Sequence, residues 1–386
     1  MAQPSDFGYG MEEQILRAEA RKFFKDTCDE LRLMDLVAGK TDPHREPECL
    51  WDKKAWKKMT DLGWTTLAVP ERAGGIGMSA VAVATLVEEA GRAAFPSPLI
   101  STINATYVLS ACHTKNADAA LAEIADNRTA ALAVTNRKGS WSSSDTDVSA
   151  SHANGVITLN GTAWFVQDAR KADFFVVAAG SNDEVGLYVV PADASGVTVV
   201  PDAIVDLTRD QAHVTFEGVE VGPACTAADP GSGSLALELG LPAVLTMVSA
   251  DMCGAGEWQL QTTAAYAGKR VQFDRALGYF QAVKHPIVNM MIMIDSARSL
   301  VYNAACAMDH EPEFSSVYAH MAKAAAGDMA AFCSGRSVQY HGGMGFTWEC
   351  FVHLYFKRQM HNQVLYGDAA HHRVKLADFF MGPPRG

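Results

Sequence analysis

The chain has 386 residues, 48% hydrophobic and 20% charged, with 31 glycines. That composition excludes a disordered, collagen-like or low-complexity polypeptide, and the length is enough to bury a sizeable core. Thirty-two Lys and Arg against 44 Asp and Glu leave a formal net charge of −12, which argues against a nucleic-acid-binding surface but not against a small anion gripped by a few arginines.

At ~150 residues per domain the length suggests two or three domains. The apolar stretches Ala243–Ala250 and Asp173–Gly180 fall short of the ~18 residues of a membrane span. The opening MAQPSDFGYGMEEQ has neither the basic n-region nor the apolar core of a signal peptide. Cys28, Cys49, Cys112, Cys225, Cys253, Cys306, Cys333 and Cys350 stand far apart with no CxxC pair. They read as reduced, mostly buried thiols, not as a disulfide frame or a zinc site. The expectation is a cytoplasmic protein with no metal, no membrane span and no nucleic-acid partner.

The predicted elements begin with helices. MEEQILRAEARKFFKDTCDELRLMDLV spaces Ile15, Ala18, Phe23, Phe24 and Leu31 at helical intervals with charges between them. A Pro- and acid-rich loop at Asp42–Glu48 precedes a helix over Cys49–Leu62. A Gly-rich turn then opens a helix near Ser79, and Pro96 and Pro98 interrupt before the next helical run. From about Ala130 the texture becomes β-rich: AALAVT, GVITLNGTAWFV, DFFVVAAG, GLYVVPA, GVTVVP and HVTFEGVEV, with turn signals at Asn154-Gly155 and Asn160-Gly161. These six strands predict an antiparallel β domain. Helices return in Gly231–Lys269, His285–Asp309 and Pro312–Gly335. The Gly break in QYHGGMGFTWE leads to a last helical stretch, and the tail GPPRG is not helical. The fold class expected is α+β, with a helical domain over residues 1–129, a β domain over 130–230 and a helical bundle over 231–386.

Five segments, in order, carry a resemblance to the acyl-CoA dehydrogenase family over essentially the whole length. They are the opening EEQ and RKFF, LGWTTLAVPERAGGIGMS, GTAWFVQDARKADFFVV, YAGKRVQFDRALGYFQAVKH and QYHGGMGFTWE. The resemblance implies a flavoenzyme that desaturates acyl-CoA thioesters, with FAD lying between the β domain, the C-terminal bundle and a neighbouring subunit. It implies electron-transfer flavoprotein or a similar acceptor, and either a homotetramer or an α2β2 heterotetramer with a Glu-bearing paralogue. In such enzymes a carboxylate takes the α-proton, a hydride leaves to the flavin, and hydrogen bonds hold the thioester oxygen.

By itself Arg270 is a cation at a helix exit, where cations are comfortable; by the resemblance it reaches the FAD pyrophosphate across a subunit boundary. Phe273 is core or cofactor wall, and Gln281 of the same signature leans towards cofactor contact. Gln339 and the pair Gly342-Gly343 read as a helix terminator, and in the family they lie along the neighbour's FAD. Trp164 is either a core strand residue or the Trp beside the flavin ring. Thr135 matches the flavin-contacting Thr of the first strand. Two departures stand out: NRKGSW replaces a small glycine-rich turn, and Val166 stands where a hydroxyl is usual. Cys253 and Cys333 read as helix packing. The pair His371-His372 reads as surface or cleft flank, and His341 as a turn cap or cofactor neighbour.

The family's base is missing. Its usual Glu follows a Tyr before the last helix, where this chain has Tyr366-Gly367-Asp368. Its alternative place on the long helix falls on Val244. Three readings compete. Asp368 acts as a base shifted by one residue, although an Asp there is also an ordinary N-cap. Alternatively, the chain is the base-lacking member of a hetero-oligomer, resembling the Glu-lacking chains of actinobacterial steroid-degrading enzymes. In the third, Asp251 acts from about two turns further along the helix. A different flavin reaction, oxidase or lyase, or a scaffold role stays open beside these.

Overall fold

The computed structural model describes residues 10–37 and 49–382. The expected Asp42–Glu48 loop, most of the MAQPSDFGYGMEEQ opening and the GPPRG tail beyond Gly382 lie outside the described residues. In chain order come α1 (Met11–Thr27), α2 (Glu30–Val37), α3 (Lys53–Asp61), α4 (Ala80–Arg92), α5 (Leu99–Cys112) and α6 (Lys115–Ala125). The strands are β1 (Ala130–Ala133), β2 (Val148–Ala153), β3 (Val156–Gln167), β4 (Phe174–Ser181), β5 (Glu184–Pro191), β6 (Val197–Pro201), β7 (Gln211–Val221) and β8 (Thr226–Ala228). Then follow α7 (Gly233–Lys269), the hairpin β9 (Val271–Gln272) and β10 (Arg275–Ala276), α8 (Gln281–His310), α9 (Pro312–His341), α10 (Val352–Val364) and α11 (Ala369–Met381).

Capping sets the helix starts. The helix expected from Cys49 begins at Lys53, because Asp52 accepts from the Lys54 and Ala55 amides; Ser79 likewise accepts from Ala82 N and opens α4. Small residues set the packing of α4 on α7. A Cβ on Gly91 would lie 2.3 Å from Asp251 O, and one on Gly254 would lie 1.8 Å from Glu88 O, so only glycine admits this approach. The later residue of α4 meets the earlier residue of α7, so the two helices lie antiparallel. Nearer the start of α7, a Cβ on Gly240 would come within 2.7 Å of Val108 Cγ2 on α5.

The sheet order is β6-β7-β3-β2-β4-β5-β8, with β1 paired to β4. The sheet is mixed rather than purely antiparallel, since β1 and β2 pair parallel with β4. Strands β2 and β8 are additions to the expected six: VSASHA and TAA carry few β-branched or aromatic side chains, and it is pairing with β3 and β5 that extends them. Asn154-Gly155 is a hairpin turn as expected. Asn160-Gly161 instead lies inside β3, where Gly161 at φ +128 accommodates a register shift against β7. β4 is buried on both faces, with Phe174, Val176 and Ala178 turned to the helical core and Phe175, Val177 and Ala179 to a second core.

The C-terminal helices wrap α7. This 37-residue helix is long and apolar enough by length and composition to cross a membrane, which corrects the expectation of no such stretch, and 67% of its most apolar stretch is buried within the protein. All eight cysteines are free, but only Cys28, Cys253 and Cys333 are buried, fewer than expected.

Candidate active-site cleft and bundle end

Neither expected base position holds an available carboxylate. Val244 is 2% exposed within the main core. Gly367 has φ +103, and a Cβ there would lie 2.6 Å from His371 Cδ2, 3.1 Å from His371 Cγ and 3.3 Å from His372 Nε2. The turn is thus built for the absence of a side chain. Asp368 is corrected to a helix cap: it is exposed at the N-terminus of α11 and accepts from His371 N at 2.8 Å. Asp251 is also corrected. It is fully buried and accepts from Arg358 at 3.2 and 2.6 Å, from Arg209 at 2.8 Å and from Asn362. Against the cost of burial, the Arg358 and Arg209 charges hold its carboxyl below the usual range, so it is a poor proton acceptor.

Around Gly367 the structure places basic groups instead. Lys323 of α9, whose side chain is wholly buried, donates to the carbonyls of Gln363 at 3.1 Å and Gly367 at 2.9 Å, capping the end of α10. Burial lowers its pKa to about 7. His372 Nε2 lies 3.2 Å from the Gly367 carbonyl and its Nδ1 lies 2.8 Å from His320 Nδ1. Desolvation takes His320 to about 4 and His372 to about 3, so near neutral pH the pair carries no charge. His372 is therefore buried structure, whereas His371 is exposed.

Tyr366 is fitted just as closely. It is 6% exposed at φ +58, its hydroxyl is 3.5 Å from Asn104 Nδ2 of α5, and its ring meets Trp141 with centroids 4.3 Å apart. Burial pushes its phenol up to about 12. One turn earlier on α5, Ser101 donates to Asp168 Oδ2 at 3.1 Å, and Asp168 pairs with buried Lys171 at 2.7 Å. The α5 wall beside Tyr366 is thus a buried polar network in which Asn104 Oδ1 is left without a partner.

The three β-domain candidates lie close together but face inward or are covered. Thr135 and Trp164 form an isolated antiparallel bridge, with Trp164 N donating to Thr135 O at 2.9 Å. Thr135 is 2% exposed, and Val166 is 1% exposed in the second core. A bulge between Ala163 and Val166 puts Phe165 at φ +57 and turns Val166 inward, so a hydroxyl at 166 would enter the β core. The Trp164 ring stacks on His213 at 5.0 Å and carries Arg137 at 5.5 Å. Val166 offers a flavin ring no hydroxyl and the Trp164 face is covered by His213 and Arg137, so these two do not fit it in the way the resemblance implies.

The C-terminal candidates do fit a phosphate-rich ligand. Arg270, Phe273, Gln281, Gln339, Gly342 and Gly343 gather, all exposed, at one end of the bundle. The end of α9 is held against α7 by Tyr266 stacked on His341 at 4.4 Å and against α8 by Tyr340 donating to the Ala282 carbonyl at 3.3 Å. The hairpin projects from this end, with Phe273 at φ +53 and 85% exposed. That corrects the reading of Phe273 as core. Cβ atoms on Gly342 or Gly343 would meet nothing within 4 Å. A guanidinium, two carboxamides and open glycine backbone form a donor set suited to an anionic diphosphate.

Sequence reasoning passed over Lys323, Asn104, Arg209 and Arg358. Lys323 sits in an Ala-rich stretch, Asn104 in the apolar helix α5, and Arg209 and Arg358 in polar stretches, none with a spacing to mark it. Trp141 did carry a signal, as the odd bulky residue of NRKGSW.

Comparison with known proteins matches residues 10–126 to the acyl-CoA dehydrogenase N-terminal domain and 244–380 to the C-terminal domain. The chain is 31% identical over 309 residues to the acyl-CoA dehydrogenase IpdE2 of Mycobacterium tuberculosis, covering 80% of each. It is 24% identical to the human mitochondrial short-chain specific acyl-CoA dehydrogenase, covering 94% of this chain and 90% of that one. Among solved structures, it resembles the ChsE4-ChsE5 complex from Mycobacterium tuberculosis with a TM-score of 0.86 at 22% identity, over 98% of this chain and 100% of that one. It resembles a variant of the Tcur3481-Tcur3483 steroid ACAD with a TM-score of 0.83 at 26% identity, over 95% of this chain and 97% of that one. With the helix–sheet–helix order and this full-length likeness, the chain belongs to the acyl-CoA dehydrogenase family of oxidoreductases.

Proposed function

We propose that this chain is the base-lacking half of an α2β2 acyl-CoA dehydrogenase, whose catalytic Glu belongs to a paralogous partner. The observation that carries the reading is Gly367, where the family's carboxylate is absent and where the positive φ and the His371 ring both disfavour any side chain. The exposed bundle end supplies the complementary half of the argument. Arg270, Gln281, Gln339 and the open backbone at Gly342-Gly343 are offered to the diphosphate of FAD held by the partner, with Phe273 as an apolar anchor. FAD, when bound, accepts the hydride of α,β-desaturation. This chain's part is to bind and orient it, while electron-transfer flavoprotein or a similar carrier re-oxidises it. Likeness to a structure described as a steroid ACAD supports a bulky acyl group.

The test is to make the chain alone and together with a Glu-bearing paralogue, then measure flavin content and anaerobic bleaching by short, long and steroid-type acyl-CoAs. The expected result is little flavin and no bleaching alone, with both appearing in the pair. Bleaching by the lone chain would overturn the reading. Rapid oxygen consumption with a thioester would point instead to an oxidase.

A further inference from the structure

The loop between β1 and β2 carries both residues that cover the aromatic rings described above. Arg137 lies over the Trp164 ring at 5.5 Å, and four residues later Trp141 lies on Tyr366 at 4.3 Å. A base can take an α-proton only from a carbon it touches, so a thioester served from position 367 has to lie against the Tyr366–Gly367 turn. Trp141 covers the Tyr366 ring of that turn.

The loop is firmly built. Asn136 Oδ1 accepts from the amides of Lys138 at 3.1 Å and Ser140 at 3.0 Å, Ser140 Oγ donates to Asp145 at 2.6 Å, and Arg137 N donates to Asp147 at 2.7 Å. It is also tied to the start of α7, where Ser143 Oγ donates to Glu238 at 2.7 Å and Ser234 Oγ donates to the Ser143 carbonyl at 3.1 Å. At its base, a Cβ on Gly139 would stand 3.8 Å from the Phe165 ring.

We infer that Trp141 is a specificity-determining plug: the Asn136–Asp147 loop excludes acyl-CoA thioesters from this chain's own cleft, independently of the missing carboxylate. The inference deepens the base-lacking reading and rests on it for the identity of the excluded ligand. A plugged cleft keeps thioester from being held unproductively where no proton can be taken. Removing the indole while keeping the loop's polar ties opens a space the size of that side chain beside Tyr366.

The experiment titrates the chain, as purified alone or with its partner, with CoA thioethers bearing an octyl or a steroid side-chain group, by calorimetry. Wild type and Trp141→Phe are expected to show no binding in this chain's cleft. Trp141→Gly is expected to take up about one further equivalent per chain. The double variant Ser143→Ala, Glu238→Gln, which loosens the loop without touching Trp141, is expected to gain weaker, saturable binding and serves if Trp141→Gly fails to fold. An equivalent bound by this chain's cleft in wild type, or no gain in a folded Trp141→Gly or double variant, would overturn the inference. Flavin content of the pair with Arg270→Ala reads the cofactor-presenting role separately, so failure of one reading does not pass for failure of the other.

Discussion

Restoring the family's carboxylate by Gly367→Glu is the most informative single perturbation. The native φ of +103 is one that side chains rarely adopt, and the new Cβ would stand 2.6 Å from the His371 ring. Backbone strain of this kind costs about 1–3 kcal/mol. Pushing His371 and His372 aside also forfeits the His372 contact with the Gly367 carbonyl at 3.2 Å, worth about 1 kcal/mol. The sum is about 2–4 kcal/mol, a drop of several degrees in Tm for a chain of this size. Thermal melting, flavin content and anaerobic bleaching of the lone chain check both halves of the argument. The expected variant melts earlier, still carries little flavin and shows no bleaching, because the β-domain face and Trp141 are unchanged. A variant with unchanged Tm that binds flavin and bleaches it would refute the reasoning, since position 367 would then be an open vacancy in a working cleft.

Arg270→Ala should leave the melting temperature of the lone chain unchanged, since Arg270 is exposed, yet lower the flavin-to-protein ratio of the assembled pair; Arg270→Lys should recover part of it. Asp251→Asn should cost about 3–5 kcal/mol in urea denaturation, because Arg358 and Arg209 would stay buried without their counter-charge. As the folded Asp251 pKa is depressed, its contribution should be present at all pH values above the ordinary carboxylate range and be lost only as pH falls through the lower folded value. The histidine pair should behave in the opposite sense to a salt-bridged histidine. With His320 at about 4 and His372 at about 3 in the fold, stability should be full above ~6.5 and fall as pH drops below it; urea midpoints between pH 4 and 8 should show a shallower slope in His372→Gln. Val166→Thr should cost about 1–3 kcal/mol by placing a hydroxyl in the β core, with no gain of flavin by the lone chain in absorbance.

Amphipathic spacing in α1, the opening of α4 near Ser79 and the apolar run of β4 are local physics, and the sequence displayed them directly, whereas the Asp52 cap that trims α3 was not read from it. The same holds for the absence of Glu at 367 and 244 and for the oddity of NRKGSW, since both are statements about residue identity at an address. Folding alone decided what those residues do. Asp368 could be read as cap or base until the turn directed it outward. Asp251 was a candidate until Arg358 from α10 and Arg209 from the β6–β7 loop, both more than forty residues away along the chain, closed on its carboxylate. Val166 stands in a strand whose alternation is broken by a bulge, which no periodicity reveals, and Phe273 is apolar yet projects from the bundle on its hairpin, touching Phe280 edge-on and otherwise exposed among the described residues. Local sequence carries helix and strand propensities, caps and turns. Which charges meet, which side chains face a cleft and whether that cleft is filled depend on long-range packing, and those decide whether a family fold carries its own chemistry or serves a partner's.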